Sequence, residues 1–384
     1  MPLVTREHLM APSPSQPVQS SAERSIARMK DDTNPMPQPP NERATEAEIA
    51  ALEAWVKAGM PASDEACGSG GSGGASGSGG SGGSGPVPAC VPDAVVKAST
   101  PWTIKKSDAD KYVCFGGKIK ATGKKRHITQ VSADIDNKTH AHHLCIYDMG
   151  TKQVSGDPKE CSPAGAATQG KLLYCWAPGA DANVLPPEAG FPVAADQDTN
   201  ILIEMHYSNI QGLPDSTDLS AATFCTTDQL RTYDADVMAF GSPQFSLPPA
   251  QSTTVESTIT VPSQIVPDGW LHVIRGWPHM HLLGKSLTTE VFRDGKLVGD
   301  LGSTVNYSFN NQVSYPVDFK LQPQDTVVTK CVFNNNTSNT VTFGENTESE
   351  MCYNFVTYYP RITQPGWVWA APGYLAKNKT YPTP

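Results

Sequence analysis

From Cys90 onward the chain is a succession of short β-type runs cut by turn residues, and no other feature restricts its fold as much. KYVCFGGKIKA at 111–121, RHITQVSADI at 126–135, NILIEMHYS at 200–208, DTVVTKCVF at 325–333 and MCYNFVTYY at 351–359 are typical. They are rich in β-branched and aromatic residues and are separated by Gly, Pro, Asn and Asp, the composition of strands and their turns. RDGK at 293–296 marks a tight hairpin. No long helix is expected after residue 60. Many short strands with polar turns predict antiparallel sandwiches. The β region is too long for one, so two are expected, over 90–240 and 241–384, with the boundary near 238–246.

The chain before Cys90 reads differently. GSGGSGGASGSGGSGGSG at 68–85 lies in a Gly/Ser linker over 67–89. A flexible coil of that length spans roughly 25 Å root-mean-square. It tethers residues 1–66. Residues 1–35 read as polar and irregular, and NPMPQPPN at 34–41 as a proline-rich turn carrying Met36. Thr45 and Glu48 then form a capping box. Ile49, Leu52, Trp55 and Val56 give an apolar stripe, and Gly59 with Pro61 stops it. This predicts one helix near 46–58.

A net charge of −9 argues against a nucleic-acid partner. No run approaches 18 apolar residues, so no membrane span is expected. The nine cysteines include no CxxC pair and are scattered through strand-like segments. That usage suits a disulfide framework in an oxidising compartment, with Cys67 as the odd one out. MPLVTREHLM has no apolar core of a signal peptide. A start upstream of Met1 would reconcile these two readings, and the expected location is periplasmic or extracellular.

Histidine carries the chemistry. Nine occur, and six of them sit in three places: His140, His142 and His143 in THAHHLCIYDM, His206 in EMHYS, and His279 with His281 in WPHMHLLGK. On a strand, residues i and i+2 share a face, so His279 and His281 can meet one metal while Met280 points away. His140 and His142 share a face by the same rule. His142 and His143 can meet one ion only where the strand is bulged or ending. Alternation alone leaves the choice open. Imidazole suits zinc, copper, iron and nickel. The lack of a facial-triad carboxylate weakens non-haem iron, and the lack of a His-Cys-Met grouping weakens a blue-copper site. A thioether would favour Cu(I), with Met351 and Met205 as candidates. The isolated His127 and His272 read as satisfied or surface histidines.

DKYVCF at 110–115, HAHHLCIYDM at 140–149, LLYCWAPGADANVLPPEAGFPV at 172–193, EMHYSN at 204–209, HMHLLGKS at 279–286, KCVF at 330–333 and EMCYNFVTYYP at 350–360 agree in order and spacing with one family. Together they resemble the copper type II, ascorbate-dependent monooxygenases, the group of the peptide-amidating and dopamine-hydroxylating enzymes. The resemblance runs from about Cys90 to Pro360. It implies two antiparallel jelly-roll β-sandwiches, each with one copper, and a solvent-filled cleft between them. It also implies His142, His143 and His206 as ligands of an electron-storing copper, with His140 outside. His279, His281 and Met351 are implied as the catalytic ligands of an oxygen-binding copper. The implied activity is hydroxylation of an activated C–H bond of a small organic substrate by O2, with two electrons from outside. The reductant would be ascorbate-like or a c-type cytochrome. A copper-binding or electron-transfer protein without hydroxylase activity is the alternative.

The same resemblance implies the disulfides Cys331–Cys352, Cys90–Cys225 and Cys114–Cys161. Cys145 has no counterpart in relatives, and Met149 stands where they have a half-cystine. Cys145–Cys175 is expected as a compensating pair. Phe355 stands where animal relatives have Tyr, and Trp277 where amidating enzymes hold a peptide carboxylate with Arg, Arg275 lying two residues upstream. Peptide amidation is therefore not inferred. Separately, the Met-Pro turn and the short Trp-bearing helix ending in AGMP resemble the C-terminal half of a bacterial c-type cytochrome, with Met36 as the axial haem ligand. No CxxCH occurs in the chain, so covalent haem c is not expected in it.

Overall fold

The computed structural model describes residues 12–13, 16–31, 43, 45–58, 60, 90–162, 169–266, 268–309, 311–364 and 371–383. Met36, Cys67 and the Gly/Ser linker lie outside the described residues. Two compact units are present, Met1–Val87 and Pro88–Pro384.

In the first unit the expected helix spans Glu46–Lys57, and its capping box forms between Thr45 and Glu48. A second helix, Ser21–Met29, lies where the sequence reads as irregular, and follows a short strand at Gln16–Ser20. The irregular reading is thus corrected. Only Ala22 and Ile26 form its apolar stripe, and two buried serines complete that face. The helix is amphipathic but polar overall, and so short an apolar face does not stand out among its charged and hydroxyl residues. Ser20 and Glu23 supply a second capping box.

The second unit is an all-β, two-domain sandwich. In the first sandwich, five strands run in the order Lys159–Glu160, Lys111–Ile119, Thr199–Tyr207, Ala141–Gly150 and Lys171–Trp176. They face a sheet centred on Arg126–Asp134 and Ala221–Thr227. Val113, Ile146 and Ile203 of one sheet and Ile128, Val131 and Phe224 of the other share a single core. In the second sandwich, a four-stranded sheet holds Asp236–Gly241, Tyr353–Tyr359, Leu271–His279 and Tyr315–Leu321 in that order. It packs on a five-stranded sheet built around Thr326–Asn335. That strand alternates buried and partly exposed positions almost throughout, as one face on a core requires. The hairpin at Arg293–Lys296 turns through Asp294 and Gly295, both at positive φ, as a tight type I′ connection needs.

The two sandwiches share apolar surface, because Val237, Trp277 and Tyr359 of the second join the core of the first. Four disulfides pin the unit: Cys90–Cys225, Cys114–Cys161, Cys145–Cys175 and Cys331–Cys352. Cys145 and Cys175 are direct cross-strand neighbours. Among the described residues no helix is long and apolar enough to cross a membrane.

Candidate metal centre

The Thr199–Tyr207 strand is central in its sheet and nearly all its side chains are buried. Ile201, Ile203 and Met205 point into the sandwich core. His206 and Glu204 therefore take the opposite face. His206 pairs with Tyr112 on one side and with His143 on the other. One step along, Tyr207 pairs with Ala141, so His142 is the extra residue of a bulge. The bulge turns two adjacent imidazoles toward one point, the arrangement in which neighbouring histidines can share an ion.

At that point three Nδ1 atoms converge. His143 Nδ1 lies 3.4 Å from His142 Nδ1 and 3.2 Å from His206 Nδ1. Two nitrogens about 2.0 Å from one ion at a tetrahedral angle are about 3.3 Å apart, so the spacing fits a single metal. All three residues are buried. His140 belongs elsewhere: its Nδ1 lies 3.1 Å from Asn137 Oδ1 and 3.2 Å from Ser216 Oγ. A further group, Cys114, Cys161 and Glu204, is no metal site, because its two sulfurs are joined to each other.

His279 ends the Leu271–His279 strand, and His281 follows two residues later, their ring centroids 5.3 Å apart. Met280 between them is fully buried in a different cluster, with Leu247, Leu287 and Phe333. His279 Nδ1 lies 2.7 Å from Gln312 Oε1, and the Gln312 amide nitrogen donates to the Phe309 carbonyl. That second bond fixes which Gln312 atom faces the ring. His281 Nδ1 lies 3.0 Å from the Ser349 carbonyl. Each Nδ1 therefore carries the proton, and each Nε2 keeps the lone pair for a metal. Met351 is buried beside Ala239 and Tyr353, with its backbone N–H on Glu350.

The two sets meet. The His143 and His279 rings are 6.4 Å apart, and Phe309 stacks on His142 at 4.1 Å while standing 5.9 Å from His281. A solvent-filled cleft was the expectation here. Instead the halves are closed on each other, with five buried imidazoles and an apolar wedge between them. Burial holds His142 and His279 down to about 3, with neighbouring imidazoles adding repulsion. Burial lowers His281 to about 4 and drives His143 well below the usual range. These rings are neutral at pH 7, the form that ligates metal.

Sequence reasoning missed the supporting groups. Asp110 accepts from His206 Nε2 and so frees its Nδ1. Tyr112 lies flat on His206, with centroids 4.3 Å apart and planes 5° from parallel. Glu350 takes the backbone N–H groups of His281 and Leu283 at 2.8 and 2.6 Å, and burial raises its carboxyl to about 7. Asp110 and Tyr112 lie in the DKYVCF segment, and strand pairing to EMHYS was the signal available. Gln312 and Phe309 come from a loop with no periodic signature.

The model for the N-terminal domain of copper type II ascorbate-dependent monooxygenases matches residues 98–214, and the C-terminal domain model matches 233–368. The chain belongs to the copper type II ascorbate-dependent monooxygenase family. Among curated proteins it is similar to tyramine beta-hydroxylase of Caenorhabditis briggsae, 32% identical over 58% of this chain and 40% of that protein. MOXD1 homolog 1 of Drosophila melanogaster is 28% identical over 69% of this chain and 42% of its own length. Dopamine beta-hydroxylase of Canis lupus familiaris is 28% identical over 65% of this chain and 43% of its own. The chain thus spans less than half the length of these relatives.

Proposed function

We propose that this protein is a copper monooxygenase that hydroxylates an activated C–H bond of a small organic substrate, using O2 and two electrons from an external reductant. His142, His143 and His206 hold one copper, and His279, His281 and Met351 hold the other. The observation that carries the reading is the convergence of three buried imidazoles, with His143 Nδ1 3.4 Å from His142 Nδ1 and 3.2 Å from His206 Nδ1, beside a second pair of oriented imidazoles. Copper bound there supplies dioxygen activation and one-electron transfer. A thioether from Met351 favours the reduced ion.

The chain's own groups do the rest. Asp110, Gln312 and the Ser349 carbonyl hold three imidazoles in the tautomer that presents a lone pair to the metal. Phe309, Trp277 and Phe355 line the histidines with apolar surface, which restricts water. The electrons come from an ascorbate-like donor or a c-type cytochrome. The chain works in an oxidising compartment, periplasmic or extracellular, a reading that its four disulfides support.

The test is copper loading followed by a substrate screen under reductant, with oxygen uptake and hydroxylated product measured together. Product should form in step with oxygen uptake, and His279→Ala should abolish both and lose one copper. Oxygen uptake without hydroxylated product from any substrate, or retention of zinc in preference to copper, would contradict the reading.

A further inference from the structure

The segment between Glu345 and Met351 belongs to the second sandwich, yet its first residues touch the histidine set of the first. Tyr112, the ring stacked on His206, donates its hydroxyl to the Glu345 carbonyl at 2.9 Å. Thr347 Oγ1 lies 3.4 Å from His206 Nε2. Both the side chain and the backbone of Thr347 also hydrogen-bond to Asp110, the carboxylate that accepts from the same His206 nitrogen. Two residues past Thr347, the segment serves the other histidines. The Ser349 carbonyl accepts from His281 Nδ1, and Glu350 takes the His281 and Met351 backbone N–H groups. The segment is itself held, since the Ser349 N–H bonds to the Asn346 carbonyl and the Glu350 N–H to the Thr342 carbonyl.

We propose that the Glu345–Met351 segment is a strap coupling the two metal sites, with Thr347 and Asp110 as positioning residues for His206. The inference rests on the copper assignment above and goes beyond it. Asp110 fixes the tautomer and orientation of His206, and Thr347 fixes Asp110. The outer shell of the three-histidine site is therefore complete only while the second sandwich's strap is seated on it. Losing an outer-shell partner typically costs 10–100-fold in metal affinity. Any shift of the strap that accompanies ligation at His281 and Met351 must be felt at His206, and linkage makes the effect reciprocal.

The direction at the metal follows from charge. A carboxylate behind His206 makes the imidazole more basic and favours the more highly charged Cu(II). Removing that charge weakens Cu(II) more than Cu(I). Each tenfold of that difference raises a one-electron potential by about 59 mV.

The test uses the full chain carrying His279→Ala and His281→Ala, so that only the three-histidine site binds copper. Thr347→Val, Thr347→Ser and Asp110→Asn are then added singly. Cu(II) affinity, the paramagnetic resonance spectrum and the midpoint potential are measured for each, with thermal unfolding to confirm folding. Thr347→Val should lower Cu(II) affinity about tenfold and change the spectrum. Thr347→Ser should restore both. Asp110→Asn should have the larger effect and raise the potential. If Thr347→Val gives the parent's affinity, spectrum and potential, the strap is refuted while the copper assignment stands. If the histidine-depleted parent binds no copper at all, the three-histidine assignment itself fails, and the strap with it.

Discussion

Replacing Met351 with isoleucine separates packing from ligation at the second site. Met351 is 6% exposed and packs with Ala239 and Tyr353, with Phe343 and Phe355 alongside. Isoleucine roughly conserves the volume, and such swaps usually cost less than about 1.5 kcal/mol. At about 2–4 °C per kcal/mol, the unfolding midpoint of the copper-free protein should fall by no more than about 3–6 °C. The Glu350 N–H keeps its bond to the Thr342 carbonyl, so the strap stays in place. What disappears is the only thioether assigned to a copper. Cu(I) affinity at the His279–His281 site should drop by at least the ~10–100-fold that loss of a mere outer-shell partner brings. Hydroxylation should fall with it, while Cu(II) at the three-histidine site keeps its spectrum. The assay is competition for Cu(I) with a chromophoric chelator, run beside turnover and thermal unfolding. Parent-like Cu(I) affinity and turnover in Met351→Ile would show that the methionine only packs.

Gln312→Leu should leave the fold intact but weaken metal at the His279–His281 site about 10–100-fold, measured by equilibrium dialysis, because His279 Nδ1 loses its acceptor. His206→Ala should remove one copper of two by elemental analysis and leave the other. Removing the Cys145–Cys175 bridge by a double serine substitution opens a loop of 30 residues, worth about 3–4 kcal/mol in the chain-entropy view, and denaturant unfolding should register a loss of that order. Burial raises the Glu345 carboxyl to about 7, so it is neutral in the fold at pH 5 while the unfolded chain ionises above about 4.5. Stability then falls as pH rises from about 4.5 to 7, and Glu345→Gln should flatten that part of the profile of unfolding midpoint against pH.

The histidine clusters were legible because they stand out in a histidine-poor chain, and because HMH carries its own geometry: i and i+2 share a face. HAHH did not, since His142 and His143 converge only through a bulge set by pairing to a strand sixty residues away. The β architecture was legible from short runs and turn chemistry, the Asp294–Gly295 hairpin among them. The Ser21–Met29 helix was not, because its buried face is half serine and the segment is polar overall. Asp110, Gln312 and Thr347 act across long stretches of sequence, and ordinary polar residues leave no local mark of such a role. The closure of the two halves depends on Phe309 and the strap, which only tertiary contact reveals.

The central claim is that five histidines and one methionine hold two coppers in one chain. X-ray absorption at the copper edge of the reduced, fully loaded protein counts those ligands directly, with elemental analysis giving the metal content. The account predicts two coppers per chain, sharing five imidazoles and one sulfur between them, and loss of the sulfur signal alone in Met351→Ile. A single copper per chain, or two coppers with no sulfur neighbour in the parent, would contradict it.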